Sequence, residues 1–192
     1  CGSHRWTGQQ ALGQGHDIII GAGHAHGDAL ANAPALGQPH GKEDAMPRID
    51  LEDIVQSNGT GYPANHAALV QQRWVRRIAP AVGLADFGVS HVVLKPGAAS
   101  SQRHWHEDED EFIVMLAGEA VLVEDDGRTL LHAGDLAAFV KGEPNGHQLV
   151  NESDADCAFM AFGRPPSGDC HYPDIDLLWS NGAYRHKDGR RY

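Results

Sequence analysis

The chain reads as an all-β protein folded as one barrel or sandwich, on three observations. Short apolar runs recur every roughly 8–12 residues between 88 and 163, turn-forming residues separate them, and 192 residues suit one ordinary core. The runs are "GVSHVVLKPG" (88–97), "EFIVMLAG" (111–118), "EAVLVEDDG" (119–127), "RTLLHAGD" (128–135), "LAAFVKG" (136–142), "HQLVNESD" (147–154) and "CAFMAFG" (157–163).

Each segment has its own reading. Residues 1–45 are rich in Gly, Ala, His and Gln with no period of 2 or 3.6, so a tag, linker or disordered leader is expected there, with Met46 as a candidate start. The irregular spacing of His4, His16, His24, His26 and His40 points to adventitious rather than organised metal binding. Residues 46–84 are expected to supply extension strands, with "RWVRRIA" alternating like an edge strand over 73–78. The barrel is expected over 85–163: Asp126-Gly127 suits a tight hairpin, and Ala133-Gly134-Asp135 and Asn151 to Asp156 mark further reversals. "FIVMLA" is apolar on both strand faces, so each face needs cover, and a homodimer is one way to supply it. In the tail, 164–192, Pro173, Asp174, Gly182 and Gly189 limit regular structure, while Ile175, Leu177, Leu178 and Trp179 are expected to clamp onto the barrel exterior.

Composition narrows the function classes. A formal net charge of −11 disfavours nucleic acid and anionic membrane surfaces as partners. Three cysteines (Cys1, Cys157, Cys170) match neither a disulfide framework nor a thiolate zinc site, and no apolar run approaches a membrane span, so a cytoplasmic protein is expected. No nucleophile elbow, P-loop or dinucleotide fingerprint occurs.

The chemistry concentrates in "RHWHEDEDEF" (103–112). In an extended strand His104 and His106 face one way and Trp105 the other. Glu111 shares parity with Ile113 and Met115, whereas Phe112, Val114 and Leu116 point oppositely. If the first set faces the lumen, two imidazoles and a carboxylate meet, a donor set suited to Fe(II), Mn(II), Ni(II) or Zn(II). Glu107, Asp108, Glu109 and Asp110 read as the solvated loop joining the ligand strands. Gln102 shares the histidines' parity and is a candidate substrate contact, and Met115 is a candidate lining residue on the Glu111 face.

The spacing around these residues resembles the cupin superfamily. Gly97, His104-x-His106, Glu111 and Gly118 follow its first motif, G-x5-HxH-x3-4-E-x6-G, with one extra residue after Gly97. "GDLAAFVKGEPNGHQLVN" (134–151) resembles its second, G-x5-PxG-x2-H-x3-N, but Val140 stands for proline, Asn145 for histidine and Leu149 for asparagine. His147, two residues on, shares Asn145's parity. We read His147 as the fourth ligand because imidazole is the stronger donor, with Asn145 as an alternative ligand or substrate contact.

The resemblance implies a single cupin (double-stranded β-helix, jelly-roll) barrel, similar to small cupins of the sugar-phosphate-isomerase-like kind. It also implies one divalent transition metal (Mn, Fe, Ni or Zn) on His104, His106, Glu111 and His147. The leading expectation is a metal-dependent isomerase or lyase acting on a small oxygenated metabolite such as a sugar, sugar phosphate or hydroxy/keto acid. Alternatives are a mononuclear iron dioxygenase and a non-catalytic metabolite-binding cupin, since the fold alone does not choose.

Overall fold

Strand parity and turn chemistry carry through into the structure. The computed structural model describes residues 48–164 and 167–192. The expected leader, 1–45, lies outside the described residues. In chain order the strands are β1 (Gln56–Ser57), β2 (Arg73–Arg77), β3 (Gly88–Leu94), β4 (Trp105–His106), β5 (Glu111–Ala117), β6 (Glu119–Glu124) and β7 (Gly127–His132). They continue as β8 (Leu136–Phe139), β9 (Gln148–Val150), β10 (Cys157–Gly163), β11 (Cys170–Tyr172), β12 (Leu177–Ser180) and β13 (Ala183–Arg185). A short helix, α1 (Ile78–Val82), follows β2.

The strands form three antiparallel sheets. One has the order β1-β2-β3-β10-β5-β8, a second β7-β6-β9, and a third β13-β12-β11-β4. The first two bury one core between them: Val92 and Leu94 of β3, Ile113 and Met115 of β5, Ala120 and Leu122 of β6, Leu149 of β9, and Phe159 and Ala161 of β10. Each fully buried Leu, Ile, Phe or Met contributes roughly 1.5–3 kcal/mol. This is the all-β jelly roll that the run spacing predicts.

β5 shows how the pattern sets the wall. Glu111, Ile113 and Met115 are buried, while Phe112 and Leu116 are exposed, the alternation expected of a strand with one face in the lumen. Gly118 ends the strand with φ +67°, and a Cβ there would meet the Asp156 carbonyl at 2.6 Å, so the close approach of the two chain segments requires glycine. Two expectations change. β2 is no free edge, because β1 pairs with it at Gln56 and Ser57. The tail does more than clamp: β11 pairs directly with β4, and Cys170, Tyr172, Leu177, Trp179 and Tyr184 form a second core with Tyr62 and Val70. The tail therefore helps build the wall that carries His106.

Asn151 locks the end of β9. Its fully buried side chain donates to the Leu94 carbonyl at 2.9 Å and the Ala155 carbonyl at 2.7 Å, and accepts from the Ser153 amide and hydroxyl. All four hydrogen-bonding positions of the amide are thus used.

Candidate metal centre

Backbone pairing, more than side-chain packing, brings the candidate ligands together. His104 and His147 form an isolated antiparallel bridge in which each amide donates to the other's carbonyl, at 3.1 and 2.9 Å. Residues exchanging both bonds face the same side of the ladder, so their rings lie 4.8 Å apart. His106 follows two residues later, with its ring 4.8 Å from His104. Glu111 opens β5 opposite Phe139 of β8 and Gly163 of β10.

The four side chains converge on one oxygen. Glu111 Oε2 lies 2.8 Å from His147 Nε2, 3.4 Å from His106 Nε2 and 3.6 Å from His104 Nε2, and all four residues are buried. A cation with bonds of roughly 2.0–2.2 Å holds neighbouring ligand atoms roughly 3–3.5 Å apart, so the spacing suits a shared ion. His104, Glu111 and His147 form one group able to hold a metal ion. The His104 and His106 Nε2 atoms are buried without a hydrogen-bond partner. On His104, Nδ1 lies 2.9 Å from the Gln102 carbonyl; donating its proton there leaves the Nε2 lone pair free for a ligand bond.

The electrostatics favour metal-ready protonation states. Burial lowers His106 and lowers His147 to about 4, against the raising effect of Glu111, so both imidazoles are neutral at ordinary pH. Burial alone would raise Glu111, but its electrostatic interaction with His106 and the close approach of the three imidazoles, His147 at hydrogen-bond distance, hold it well below the usual carboxylate range.

The register separates the two candidates of the second-motif region. Asn145 lies outside the ligand group: its amide donates to Glu124 at 2.9 Å and its oxygen accepts from the Asp125 amide. His147 is the residue that groups with His104 and Glu111, and Asn151, four residues on after the intervening Gln148, Leu149 and Val150, restores the H-x3-N spacing. The loop is two residues longer than the family pattern, and Leu149 is a core residue. The H-x3-N spacing of His147 and Asn151 was the signal available in the sequence.

The other candidates lie elsewhere. Gln102 donates to the His66 carbonyl at 2.7 Å, tying the strand to the N-terminal extension. Met115 is buried in the core, four residues along β5 from Glu111, and lines neither cavity at the centre.

Two residues join the site unannounced. Glu109, read as solvated loop, is only 2% exposed, and neither carboxylate oxygen has a hydrogen-bond partner. Its Oε2 is 3.5 Å from His106 Nδ1, on the opposite side of that ring from Glu111. Burial, then the charge of Glu111, pushes Glu109 up to about 10, so it holds a proton at neutral pH. Cys170, paired with His106 across β4 and β11, groups with His104 and His106 within ligand distance. Burial raises its thiol well above the ordinary range, leaving it protonated.

Two cavities flank the centre. An inner one of about 10 Å³ is lined by Ser100, Ser101, Ile113, Phe139, Leu149 and Ala161 along with His104, Glu111 and His147. The outer one, about 170 Å³, touches His106, His147 and Glu109. Glu124, Glu143, Asn145, Trp105 and Val140 also line it. Phe139 stacks on His147 at 3.6 Å between the two.

The comparisons agree with this architecture. A family model described as a cupin domain matches residues 90–163. The chain is similar to the crystal structure of a sugar phosphate isomerase from a cupin superfamily, from Silicibacter pomeroyi, with 40% identity and a TM-score of 0.72, covering 76% of this chain and 96% of that one. It shares its fold with a proposed sugar phosphate isomerase from Acidithiobacillus ferrooxidans, at 23% identity and a TM-score of 0.55, over 59% of this chain and 74% of that one. The polyketide cyclase RemF from Streptomyces resistomycificus, at 22% identity and a TM-score of 0.52, also shares it, over 64% and 83% of the two chains. No curated protein matches. The barrel and its buried His/Glu cluster define a jelly-roll β-barrel with side chains that could hold a metal ion. The chain belongs to the cupin superfamily.

Proposed function

We propose that the protein is a metal-dependent isomerase or lyase acting on a small oxygenated metabolite. The observation that carries it is the convergence of three imidazole nitrogens on Glu111 Oε2, beside a cavity that holds a second, protonated carboxyl group. His104, His106, Glu111 and His147 would hold one divalent transition metal. When bound, such an ion polarises a carbonyl or hydroxyl oxygen as a Lewis acid. Glu109 faces the same cavity and can exchange a proton with the carbon or oxygen next to it, while Glu124 and Asn145 accept and donate hydrogen bonds that orient hydroxyls. The description of the Silicibacter pomeroyi relative supports the isomerase half of this reading.

The test is metal analysis of the purified protein alongside His104→Ala. Near-stoichiometric transition metal in the parent and its loss in the variant support the reading. Absence of metal, with His104→Ala unchanged, ends it.

The same reading covers the remaining properties. No helix among the described residues is long and apolar enough to cross a membrane, and the acidic charge fits a cytoplasmic protein that binds neither nucleic acid nor membrane. A homodimer would cover Phe112 and Leu116 of β5 and Leu136 and Val140 by the edge strand β8, all exposed. Light scattering of the purified protein decides that point.

A further inference from the structure

The outer cavity has a charge pattern that selects among oxygenated substrates. Three carboxyl side chains line it, Glu109, Glu124 and Glu143, and no Lys or Arg does among the described residues. The cations nearest in sequence are engaged elsewhere: Lys141 Nζ with Asp108 at 3.4 Å, Arg103 with Asp174 and Asp125. Arg164 is exposed and does not line the cavity, although its charge reaches Glu109.

Phosphate is otherwise recognised by a nest of free backbone amides, and the loop bordering the cavity offers none of its accounted amides. Lys141 N donates to Asp110, Gly142 N to the His106 carbonyl, Glu143 N to the Val140 carbonyl, Gly146 N to Asp125 and His147 N to the His104 carbonyl. Pro144 has no N–H to give. Five of the loop's amides are therefore taken up within the protein and are not free to hold an anion.

What the cavity does offer is acceptors. Glu109 is nine-tenths buried and more, aimed into the cavity and without a hydrogen-bond partner, which marks it as a group awaiting a ligand. Glu124 and Glu143 add carboxylate oxygens and Asn145 an amide on the same wall, and Trp105 supplies an apolar face. At about 170 Å³ the space is small beside the roughly 300–1,000 Å³ of drug-sized ligand sites.

We infer that the substrate is a small, unphosphorylated, hydroxyl-rich molecule, a free sugar or polyol, whose hydroxyls donate to Glu109, Glu124 and Glu143. This rests on the metal-centred reading above and narrows it. It sets the chain apart from what the description of its Silicibacter pomeroyi relative names, since a phosphate ester would bring a dianion into an acidic pocket with no Lys or Arg among its described lining residues.

The experiment uses protein first shown to carry near-stoichiometric metal, so that failure of the metal reading is scored before any sugar is added. Titration calorimetry then compares free aldopentoses and aldohexoses with their phosphate esters, with inorganic phosphate as competitor. The free sugar is expected to bind at least about tenfold more tightly than its ester, with no displacement by phosphate. Glu143→Lys, at the exposed rim, should raise affinity for the ester about tenfold and weaken the free sugar, which loses one acceptor, by about threefold or more. Glu109→Gln should weaken the free sugar roughly fivefold while metal content stays unchanged. Tighter binding of the ester, displacement by inorganic phosphate, or binding by neither member of any pair overturns the inference.

Discussion

The two cavities on either side of the His/Glu cluster are opposites. The inner one is a sliver among Ile113, Leu149, Ala161 and Phe139, lined by core residues from both stacked sheets. The outer one is roomier, lined by three carboxyl groups and an amide. Phe139, packed flat on His147, closes the boundary between them. The difference teaches that the cluster has a structural side and a chemical side. Hydrophobic packing holds the imidazoles from within, and the polar cavity lies on the outer side.

Substitutions on the two sides should therefore separate stability from binding. Glu111→Ala sits on the boundary and has the largest effect, because Glu111 Oε2 contacts all three imidazoles. Metal affinity measured by chelator competition should fall about 100-fold or more, beyond what loss of an outer hydrogen-bonding partner costs. Leu149→Ala, on the inner side, leaves a cavity in a fully buried position and should cost about 2–5 kcal/mol in denaturant unfolding, with metal stoichiometry kept in the folded protein. A loss of metal at unchanged stability would break the division.

On the outer side Glu109→Gln gives a pH signature in metal-stripped protein. Glu109 in the native state keeps its proton to about pH 10, whereas an unfolded glutamate releases it near 4.5. Its contribution is fully present below 4.5 and declines as pH rises towards 10. Gln removes that decline, so the variant should gain in Tm over the parent from pH 5 to pH 9, at roughly 2–4 °C per kcal/mol. His147 acts with the opposite slope: native at about 4 against 6.5 unfolded, it gives stability that is complete above pH 6.5 and lost as pH falls towards 4. Parallel melting curves for parent and Glu109→Gln across that range would contradict the burial of an uncompensated carboxyl. Asn145→Ala should have the smallest effect. It removes two hydrogen bonds at a partly exposed site, about 1 kcal/mol, and leaves metal affinity within about twofold, because Asn145 stands outside the ligand group.

Local parity explains what could be read in advance. His104 with His106, and Glu111 with Ile113 and Met115, follow from the two-residue repeat of an extended strand, and the structure keeps both sets. Residues whose placement depends on distant segments could not be read this way. Glu109 lies in an acidic run that looks solvated, yet residues 167–170 cover that run: Glu107 N donates to the Asp169 carbonyl and Ser167 Oγ to Asp108. The same segment carries Cys170 to His106, 64 residues away in sequence. The second motif is harder to read because of an insertion: counted forward from Gly142 the spacing lands on Asn145, whereas counted back from Asn151 it meets His147, the residue that groups with His104 and Glu111.

The most direct measurement is a crystal structure of the metal-loaded protein refined with anomalous scattering at the metal's absorption edge. One anomalous peak bonded to His104, His106, Glu111 and His147, with its open positions facing Glu109 and the outer cavity, is the predicted result. A peak centred on Cys170, or one ligated by Asn145 in place of His147, would contradict the assignment of this centre.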